Sequence, residues 1–269
     1  MPRGPRGRGW VGDLVLHAPE SVRALRNLPF LGPLIHQVSH RVLDPKERIW
    51  TQVEAGPAAG LWLELNPRTG QSYARGDVEP SVQSALAMHL EPGDVFYDLG
   101  ANIGFYTLLA ARATGPHGKV FSFEPDFENA RRLERNVVRN GFANVSMVEA
   151  GVWSSSGERQ FSSANAGSPD RGVGSFVYQS SSVEFVTVVP CLSIDDFAIF
   201  APPPSGIKCD VEGAEIEALH GARDTLAKHR PWILCETQTF DNARSARALL
   251  AELGYSIKQI SDVHLFAAP

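Results

Sequence analysis

The chain alternates short apolar runs with segments of helical periodicity, and this alternation predicts strands and helices in turn. Five apolar runs bounded by Gly, Pro or acidic residues are typical of buried strands: residues 95–98, 120–123, 145–148, 207–210 and 232–236. Helical segments lie between most of these runs, which favours an α/β domain with a largely parallel sheet. Two more short strands are predicted at the end of the chain, over residues 255–259 and 263–267.

An N-terminal extension over residues 1–75 is predicted to precede an α/β domain over residues 76–269. Residues 1–12 are rich in Pro, Gly and Arg, and we expect them to be disordered. The other predicted elements of the extension are two helices and one hairpin, with the helices at residues 20–26 and 34–43 and the hairpin strands at residues 49–54 and 60–65.

Residues 151–190 interrupt the alternation, because they are rich in Ser and Gly and are longer than a simple connection needs to be. Aromatic residues are spread among them, among others Phe161 and Phe176. We predict an inserted hairpin with a mobile loop. Its aromatic residues either line a substrate pocket or face solvent, and the sequence leaves both alternatives open.

The composition is that of an ordinary globular domain, with 43% hydrophobic and 20% charged residues. No apolar run approaches the roughly 18 residues of a membrane span, so none is expected. The formal net charge of −5 argues against sequence-independent nucleic-acid binding. The three cysteines are scattered without a C-x-x-C pair, and no signal-like hydrophobic stretch opens the chain, so a reduced, cytoplasmic protein is predicted.

The segment DVFYDLGANIGFYT at residues 94–107 predicts a strand, a glycine turn and a helix, which together form a cradle for a nucleotide-like ligand. Its glycine spacing is not the G-x-G-x-x-G of nicotinamide-dependent dehydrogenases. The acidic residue before the turn and the asparagine within it suit a ligand with an ammonium group and a carboxylate, such as S-adenosylmethionine. The expected cofactor contacts in this segment are Asp98, Gly100, Ala101, Asn102 and Gly104.

The ends of the second and third core strands add further expected cofactor contacts. Glu124 follows Asp98 by 26 residues, at the place where nucleotide-binding βαβ units carry an acid that binds the ribose hydroxyls. Asp126 is a predicted cap of a helix that continues through Asn140. Glu149 and Ala150, at the end of the third strand, are also expected to border the cofactor.

The fourth and fifth core strands end in carboxylates that are candidates for catalysis. Asp210 is expected to contact the cofactor as well and to face the place where methyl donor and acceptor meet, because ligands of open parallel sheets bind outside the carboxyl ends of the strands. Glu212 and Glu236 are the other candidate general bases, although Glu212 also suits a helix N-terminus electrostatically. Asp210 and Glu236 together offer oxygen ligands to a divalent metal. No ligand-spaced motif supports a metal, so that site is undetermined.

The motifs DLGANIGFYT, FEPD and IKCDVEGAE together resemble those of the FkbM-like methyltransferases, a branch of the S-adenosylmethionine-dependent class I enzymes. The resemblance runs from about residue 60 to the C-terminus. It implies a Rossmann-like, seven-stranded, mostly parallel sheet with helices on both faces and an antiparallel final strand. It also implies methyl transfer from S-adenosylmethionine, usually to a hydroxyl oxygen, on small molecules that include polyketides and sugars.

Three functions remain open at this stage. The first is O-methylation of a small-molecule hydroxyl, which is the expected activity, with no nucleic acid as partner. The second is N-methylation of an amine on the same fold, and the third is a cofactor-binding module without catalysis. Glu79 precedes the first helix on the sheet and either reaches the cofactor or the acceptor or serves as a helix N-terminal charge. The sequence gives no oligomeric state.

Overall fold

The structure is a computed structural model that describes residues 9–19, 21–22, 28–29, 44, 46–164, 174–176 and 183–269. Apart from residues 21–22, which are helical, the two predicted helices of the extension lie outside the described residues. The described residues form two compact units, one up to Val78 and one from Glu79 onward. Within the described part, no helix is long and apolar enough to cross a membrane.

The first unit contains α1 (Gly9–Leu16), β1 (Ile49–Gln52), β2 (Trp62–Leu65) and α2 (Gln71–Arg75). Strands β1 and β2 pair antiparallel, so the predicted hairpin is confirmed with shorter strands. The expected disorder over residues 1–12 is wrong for residues 9–12, which begin α1. The Pro- and Arg-rich composition ends at Arg8, and the apolar residues that follow let the helix bury Leu16 completely.

The second unit alternates strands and helices, as the apolar runs predicted. Its elements in chain order are α3 (Pro80–His89), β3 (Val95–Leu99), α4 (Phe105–Thr114), β4 (Lys119–Phe123), α5 (Phe127–Asn140), β5 (Val145–Val148), β6 (Gly151–Val152), β7 (Gly157–Ala164), β8 (Val183–Leu192), α6 (Ile194–Phe197), β9 (Gly206–Cys209), α7 (Glu215–His220), α8 (Arg223–His229), β10 (Trp232–Glu236), α9 (Phe240–Glu252), β11 (Ser256–Gln259) and β12 (His264–Ala268). Asp126 caps α5 as predicted, because its carboxylate accepts from the backbone N–H groups of Glu128 and Asn129.

Seven of these strands form one sheet in the described part of the chain, in the order β11-β12-β10-β9-β3-β4-β5. Strands β10, β9, β3, β4 and β5 are parallel to one another, and β12 runs antiparallel to both β10 and β11. The Rossmann-like, mostly parallel fold class is therefore confirmed. The strand order reverses between β3 and β9, which is where open α/β sheets bind their ligands.

Both faces of the sheet are covered, and successive residues of β3 contribute to opposite sides. Tyr97 and Leu99 belong to a buried cluster with residues of α7, α8 and α9. Asp98 lies on the other face, where its carboxylate accepts a hydrogen bond from Thr107 of α4. In the parallel register of β3 with β9, Asp98 is paired with Lys208, so Lys208 shares the α4 face.

The segment between β5 and β9 forms a separate three-stranded sheet in the order β6-β8-β7. Strands β7 and β8 pair antiparallel, which confirms the predicted inserted hairpin. Phe161, Val189 and Cys191 form a small buried cluster under it, against which Trp153 and Phe176 pack. Two parts of the predicted loop, residues 165–173 and 177–182, lie outside the described residues.

All three cysteines are buried and free, so we predict no disulfide in the isolated protein. Cys209 and Cys235 are register partners on neighbouring parallel strands, and a hydrogen bond between their side chains, together with burial, raises the pKa of Cys209. Iodoacetamide should therefore react slowly with the native protein and should modify three thiols after unfolding without reductant. A mass two protons lower than that of the fully reduced chain would contradict this prediction.

Candidate cofactor pocket and carboxylate cluster

A pocket opens at the carboxyl ends of β3, β4 and β9, beside the point where the strand order reverses. It holds about 520 Å³ of empty space that is continuous with solvent. Five of the nine predicted cofactor residues line it: Gly100, Asn102, Glu124, Ala150 and Asp210. The predicted catalytic residue Glu212 lines it as well, together with Phe123, Pro125 and Asn129. The structure therefore brings most of the predicted residues to one place.

Gly100 and Gly104, the two glycines of the turn, are required by packing as well as by access for a ligand. Gly100 has φ 78°, and a Cβ there would lie 1.8 Å from the carbonyl oxygen of Asp210. Gly104 has φ 89°, and a Cβ there would lie 2.6 Å from Cδ1 of Leu133 in α5. The first glycine thus lets the ends of β3 and β9 approach, and the second lets the turn lie against α5.

Glu124 closes the turn from the side of β4. Its carboxylate accepts hydrogen bonds from the backbone N–H of Asn102 at 2.7 Å and from that of Asp126 at 2.9 Å. Asn102 has φ 50°, a left-handed conformation that Asn tolerates better than most residues. Burial raises the pKa of Glu124 to about 7, although the two backbone hydrogen bonds oppose this shift. The carboxylate borders the pocket and has lone pairs left for ribose hydroxyl groups.

Four predicted cofactor residues do not line the pocket: Asp98, Ala101, Gly104 and Glu149. Asp98 is completely buried beneath the turn, where Thr107 donates to one carboxylate oxygen at 2.6 Å. Glu149 is exposed to solvent. Sequence position alone placed these residues near the cofactor. The direction of each side chain depends on the pleat and the turn, which a motif does not specify.

Asp210, Glu236 and Lys208 form a carboxylate cluster, of which Asp210 lines the pocket and the other two residues do not. The ammonium group of Lys208 lies 3.0 Å from Oδ2 of Asp210. Burial acts to raise the pKa of Asp210, but the Lys208 charge and a hydrogen bond from Glu236 outweigh it and lower that pKa. Burial and the hydrogen bond to Asp210 raise the pKa of Glu236. The two carboxyl groups titrate together, and their surroundings favour the ionised form of Asp210 and the protonated form of Glu236.

Three further side chains border this cluster, and the sequence interpretation assigned no firm role to them. The Tyr106 hydroxyl donates to Oε2 of Glu79, and Nε2 of His264 lies 3.9 Å from the same oxygen. His264 is also the register partner of Glu236. Glu79 makes no side-chain cap to α3, so its interpretation as a helix N-terminal charge does not account for its contacts. Burial lowers the pKa of His264.

The two acidic residues after Asp210 have different surroundings. Glu212 lines the pocket, and its carboxylate accepts a hydrogen bond from Gln238 at 2.6 Å. Glu215 is buried and accepts from the backbone N–H of Gly213 at 2.9 Å, which is a structural contact within the turn. Burial raises the pKa of both groups. Glu212 therefore remains a candidate site residue, and Glu215 stabilises the loop that carries it.

Backbone strain is concentrated at this site. In the described part of the chain, positive φ angles outside glycine occur at Glu79, Asn102, Glu212 and Arg230. The first three belong to the pocket lining or the carboxylate cluster. Such conformations cost of order 1–3 kcal/mol each and tend to persist where function requires them. Their grouping supports the identification of this region as the functional site.

The inserted hairpin supplies one wall of the pocket. Phe161, Gly174 and Phe176 are among the lining residues. The two phenyl rings are 4.9 Å apart between centroids, and Phe176 also contacts Trp153. The insertion therefore lines the pocket, whereas its contact with substrate remains a prediction. Within the described residues, no group of three or more His, Cys, Asp or Glu side chains is arranged to hold a metal ion.

Comparison with known proteins identifies the family. The pattern of the "Methyltransferase FkbM domain" matches residues 98–257, which is more than half of the chain. The hexuronic acid methyltransferase AglP of Haloferax volcanii is 28% identical over 176 residues, which cover 65% of this chain and 68% of that protein. The chain belongs to the FkbM methyltransferase family, and its cofactor is S-adenosylmethionine. A nicotinamide-dependent oxidoreductase is thereby excluded.

Similar solved structures include the FkbM methyltransferase of Methylobacillus flagellatus, with 22% identity and a TM-score of 0.46. That match covers 65% of this chain and 43% of the other, so this chain spans less than half of that protein. An S-adenosylmethionine-dependent O-methyltransferase of Thermotoga maritima has 17% identity and a TM-score of 0.46, with 87% and 80% of the two chains covered.

The pocket residues fit S-adenosylmethionine. Glu124 presents a carboxylate beside the turn, and Asp210 presents another in the same lining. Helix α4 begins directly after the turn without a side-chain cap at Gly104, so the positive end of its dipole favours a ligand carboxylate at this place. The donor carries an ammonium group, a sulfonium and a carboxylate, which these groups complement.

Gly100→Ala should destabilise the protein and abolish cofactor binding, because the new methyl group would overlap the Asp210 carbonyl. Gly93→Ala is the matched control, because Gly93 also has positive φ, at 95°, but has nothing within 4 Å of its Cβ position. The control should lose only about 1–2 kcal/mol of unfolding free energy. Urea unfolding and calorimetry with S-adenosylmethionine measure both quantities. Equal losses in the two variants would show that the close approach is unimportant.

Glu124→Gln should remove a pH dependence of stability in the cofactor-free protein. The raised pKa of Glu124 means that folding favours its protonated form, so its contribution is complete below pH 4.5 and is lost as pH rises through about 7. The wild type should lose about 3 kcal/mol relative to the variant over this interval. Urea unfolding at pH 4.5, 6 and 8 measures the difference, and parallel curves for the two proteins would contradict it.

The same variant should bind S-adenosylmethionine more weakly at pH 8 by about 1.5–3 kcal/mol, the range for hydrogen bonds to a charged group. Glu149→Gln is the control, because Glu149 is a nearby acid that is exposed and does not line the pocket. It should bind like the wild type. Unchanged affinity in the Glu124 variant would remove the ribose assignment.

Proposed function

We propose that this FkbM-family protein transfers the methyl group of S-adenosylmethionine to a hydroxyl oxygen of a sugar or a related small molecule. The observation that carries the proposal is the position of the Asp210 carboxylate, which borders the cofactor pocket and lies 3.0 Å from the ammonium group of Lys208. The donor supplies an activated methyl group on a sulfonium. The protein has to position the acceptor oxygen and receive its proton.

Asp210 is the better proton acceptor of the two carboxyl groups. Burial and the hydrogen bond to Asp210 raise the pKa of Glu236, which favours its protonated form and makes it the poorer proton acceptor. The hydroxyl proton passes to Asp210 as the oxygen–carbon bond forms and the carbon–sulfur bond breaks. The low pKa of Asp210 is sufficient, because an oxygen that gains a methyl group becomes strongly acidic as the bond forms.

A sugar acceptor is supported by two observations. The relative from Haloferax volcanii carries the name of a hexuronic acid methyltransferase. A second, open groove is lined by both polar and apolar side chains, and the Gln238–Glu212 hydrogen bond connects its lining to that of the pocket. Hydroxyl-rich molecules suit such a surface, because carboxylate and amide oxygens accept their hydrogen bonds.

N-methylation is disfavoured by the charge of the cluster. Asp98, Asp210 and Glu79 are carboxylates near one buried ammonium group, that of Lys208. A surplus of negative charge raises the pKa of a bound amine and keeps it protonated, without the lone pair that methyl transfer needs. A module without catalysis is disfavoured as well, because the pocket and the carboxylates form one connected site.

The charge of the pocket lining indicates what kind of partner the protein accepts. The pocket lining that the structure describes contains acidic and apolar side chains and no Lys or Arg, which does not suit a polyanion such as nucleic acid.

Three unpaired thiols favour a reducing compartment, and we therefore propose a cytoplasmic enzyme.

The test is a methylation assay with matched acceptors. Purified protein is given S-adenosylmethionine labelled with deuterium in the methyl group and a panel of neutral glycosides, hexuronides and amino sugars. Mass spectrometry then identifies the product and the methylated atom. An O-methylated sugar supports the proposal, and methylation of nitrogen alone overturns it. Failure to bind S-adenosylmethionine in calorimetry would overturn the cofactor assignment separately.

With an acceptor from that panel, Asp210→Asn should lower turnover by roughly 10²-fold or more, because the base is lost while the shape is kept. Glu236→Gln should stay within roughly tenfold of the wild type, since an amide donates to Asp210 as the protonated acid does. Turnover per folded molecule is compared, with a melting curve on each sample. A severe loss in the Glu236 variant together with a mild loss in the Asp210 variant would reverse the assignment.

A further inference from the structure

Lys208 is a charged residue in an unusual place. It belongs to β9, near the middle of the seven-stranded sheet, and is only 3% exposed. Its ammonium group lies 3.0 Å from Oδ2 of Asp210 and 3.6 Å from Oδ1 of Asp98. It also lies over the ring of Tyr106, 5.2 Å from the centroid. Lys208 does not line the cofactor pocket, so it acts on a ligand through its neighbours.

Stability alone does not account for a buried lysine at this position. Removing a lysine and its carboxylate partners from water is costly, and an apolar side chain of similar volume is often at least as stable. Asp98 adds to this cost, because its Oδ1 has no hydrogen bond, and its charge is compensated by the ammonium group and by the Thr107 hydroxyl at Oδ2. The arrangement is therefore better explained by what it does to Asp210, the partner that reaches the pocket.

Several other groups face the Lys208–Asp210 pair and have to be included in any account of its charge. Glu79 and Tyr106 approach from the start of α3 and from α4, and Glu236 and His264 approach from β10 and β12. Glu212 lies on the loop after β9 and Glu215 begins α7, and both interact with Asp210. Burial acts to lower the pKa of Lys208, but the carboxyl groups around it outweigh burial and raise that pKa. Among the described groups named above, Lys208 is the one cation with a raised pKa.

We propose that Lys208 is a positioning residue that keeps Asp210 ionised and directed at the mouth of the pocket across the neutral pH range. Without the ammonium group, Asp210 and Glu236 would compete for protons in a cluster rich in carboxylates, and Asp210 would become neutral. A neutral Asp210 attracts the positively charged donor less. The inference rests on the proposed cofactor pocket, and it does not depend on the identity of the acceptor.

The experiment compares Lys208→Met, which removes the charge, with Lys208→Arg, which keeps it. Calorimetry measures the Kd of S-adenosylmethionine at pH 6, 7 and 8.5, and each value is divided by that of the wild type at the same pH. The protonation of the donor and that of Glu124 change the Kd of variant and wild type alike, so the ratio of the two Kd values removes their effect. Lys228→Met is the matched control, because Lys228 is exposed on α8 and does not line the pocket.

The Kd ratio of Lys208→Met should be roughly tenfold or more at pH 6 and should fall to about threefold or less at pH 8.5, because Asp210 regains its charge as pH rises. The ratios of Lys208→Arg and Lys228→Met should stay near one at every pH. A ratio for Lys208→Met that is the same at all three pH values would overturn the proposal, since a merely structural role predicts a uniform loss.

A second variant covers the case in which Lys208→Met does not fold. Lys208→Met combined with Asp98→Asn removes the buried carboxylate that would be left without compensation, and Asn still accepts the Thr107 hydrogen bond. The double variant should show the same pH-dependent ratio, and a flat ratio would overturn the proposal. Wild-type protein that fails to bind S-adenosylmethionine would instead refute the proposed cofactor pocket, so the two failures are distinguishable.

Discussion

The geometry of the site depends on the close approach between the Gly100 turn and the backbone of Asp210. The backbone N–H of Asp210 donates to the carbonyl of Leu99 at 3.1 Å, which continues the pairing of β3 with β9 past the last strand residue. Because Gly100 has no side chain, the turn can lie directly against the Asp210 carbonyl. The two strand ends therefore stay together, and the carboxylate of Asp210 comes to the same pocket as the turn.

The same pairing sets the register that places Lys208 beside Asp98. These residues are 110 positions apart in the chain, and they are neighbours because β3 and β9 are adjacent and parallel. A shift of one residue in this register would send Lys208 to the opposite face, among the apolar residues that pack with α7, α8 and α9. The electrostatic state of the cluster is thus a consequence of strand pairing as much as of the residues themselves.

The sequence was sufficient to predict the fold class and the general place of the site. The core strands were predicted to within one residue at each end, since apolar runs between turn residues are a strong signal for buried parallel strands. Glu124, Asn102 and Asp210 were predicted from their positions after strands, and the structure brings them together. Asp98 and Glu149 do not line the pocket, and the motif alone could not show this, because it gives the order of residues along a turn and not the face that each one occupies.

The contacts of Glu79, Tyr106 and His264 could not be predicted for another reason. They join the start of α3, the first turn of α4 and the last strand, so they exist only after the whole sheet has formed. Glu79 also adopts a left-handed backbone conformation immediately before a proline, which no local preference would favour. The tertiary structure imposes this conformation, and its cost is consistent with a role at the site.

The inserted hairpin has an evolutionary consequence. The cradle for the donor is made by strands of the seven-stranded sheet. Phe161 and Phe176 add a wall that comes from the inserted hairpin, which forms a separate three-stranded sheet. A hairpin can lengthen, shorten or exchange its aromatic residues while the sheet keeps its register. Descendants of such a chain can therefore diverge in the molecule they modify while the machinery for the shared methyl donor is inherited unchanged.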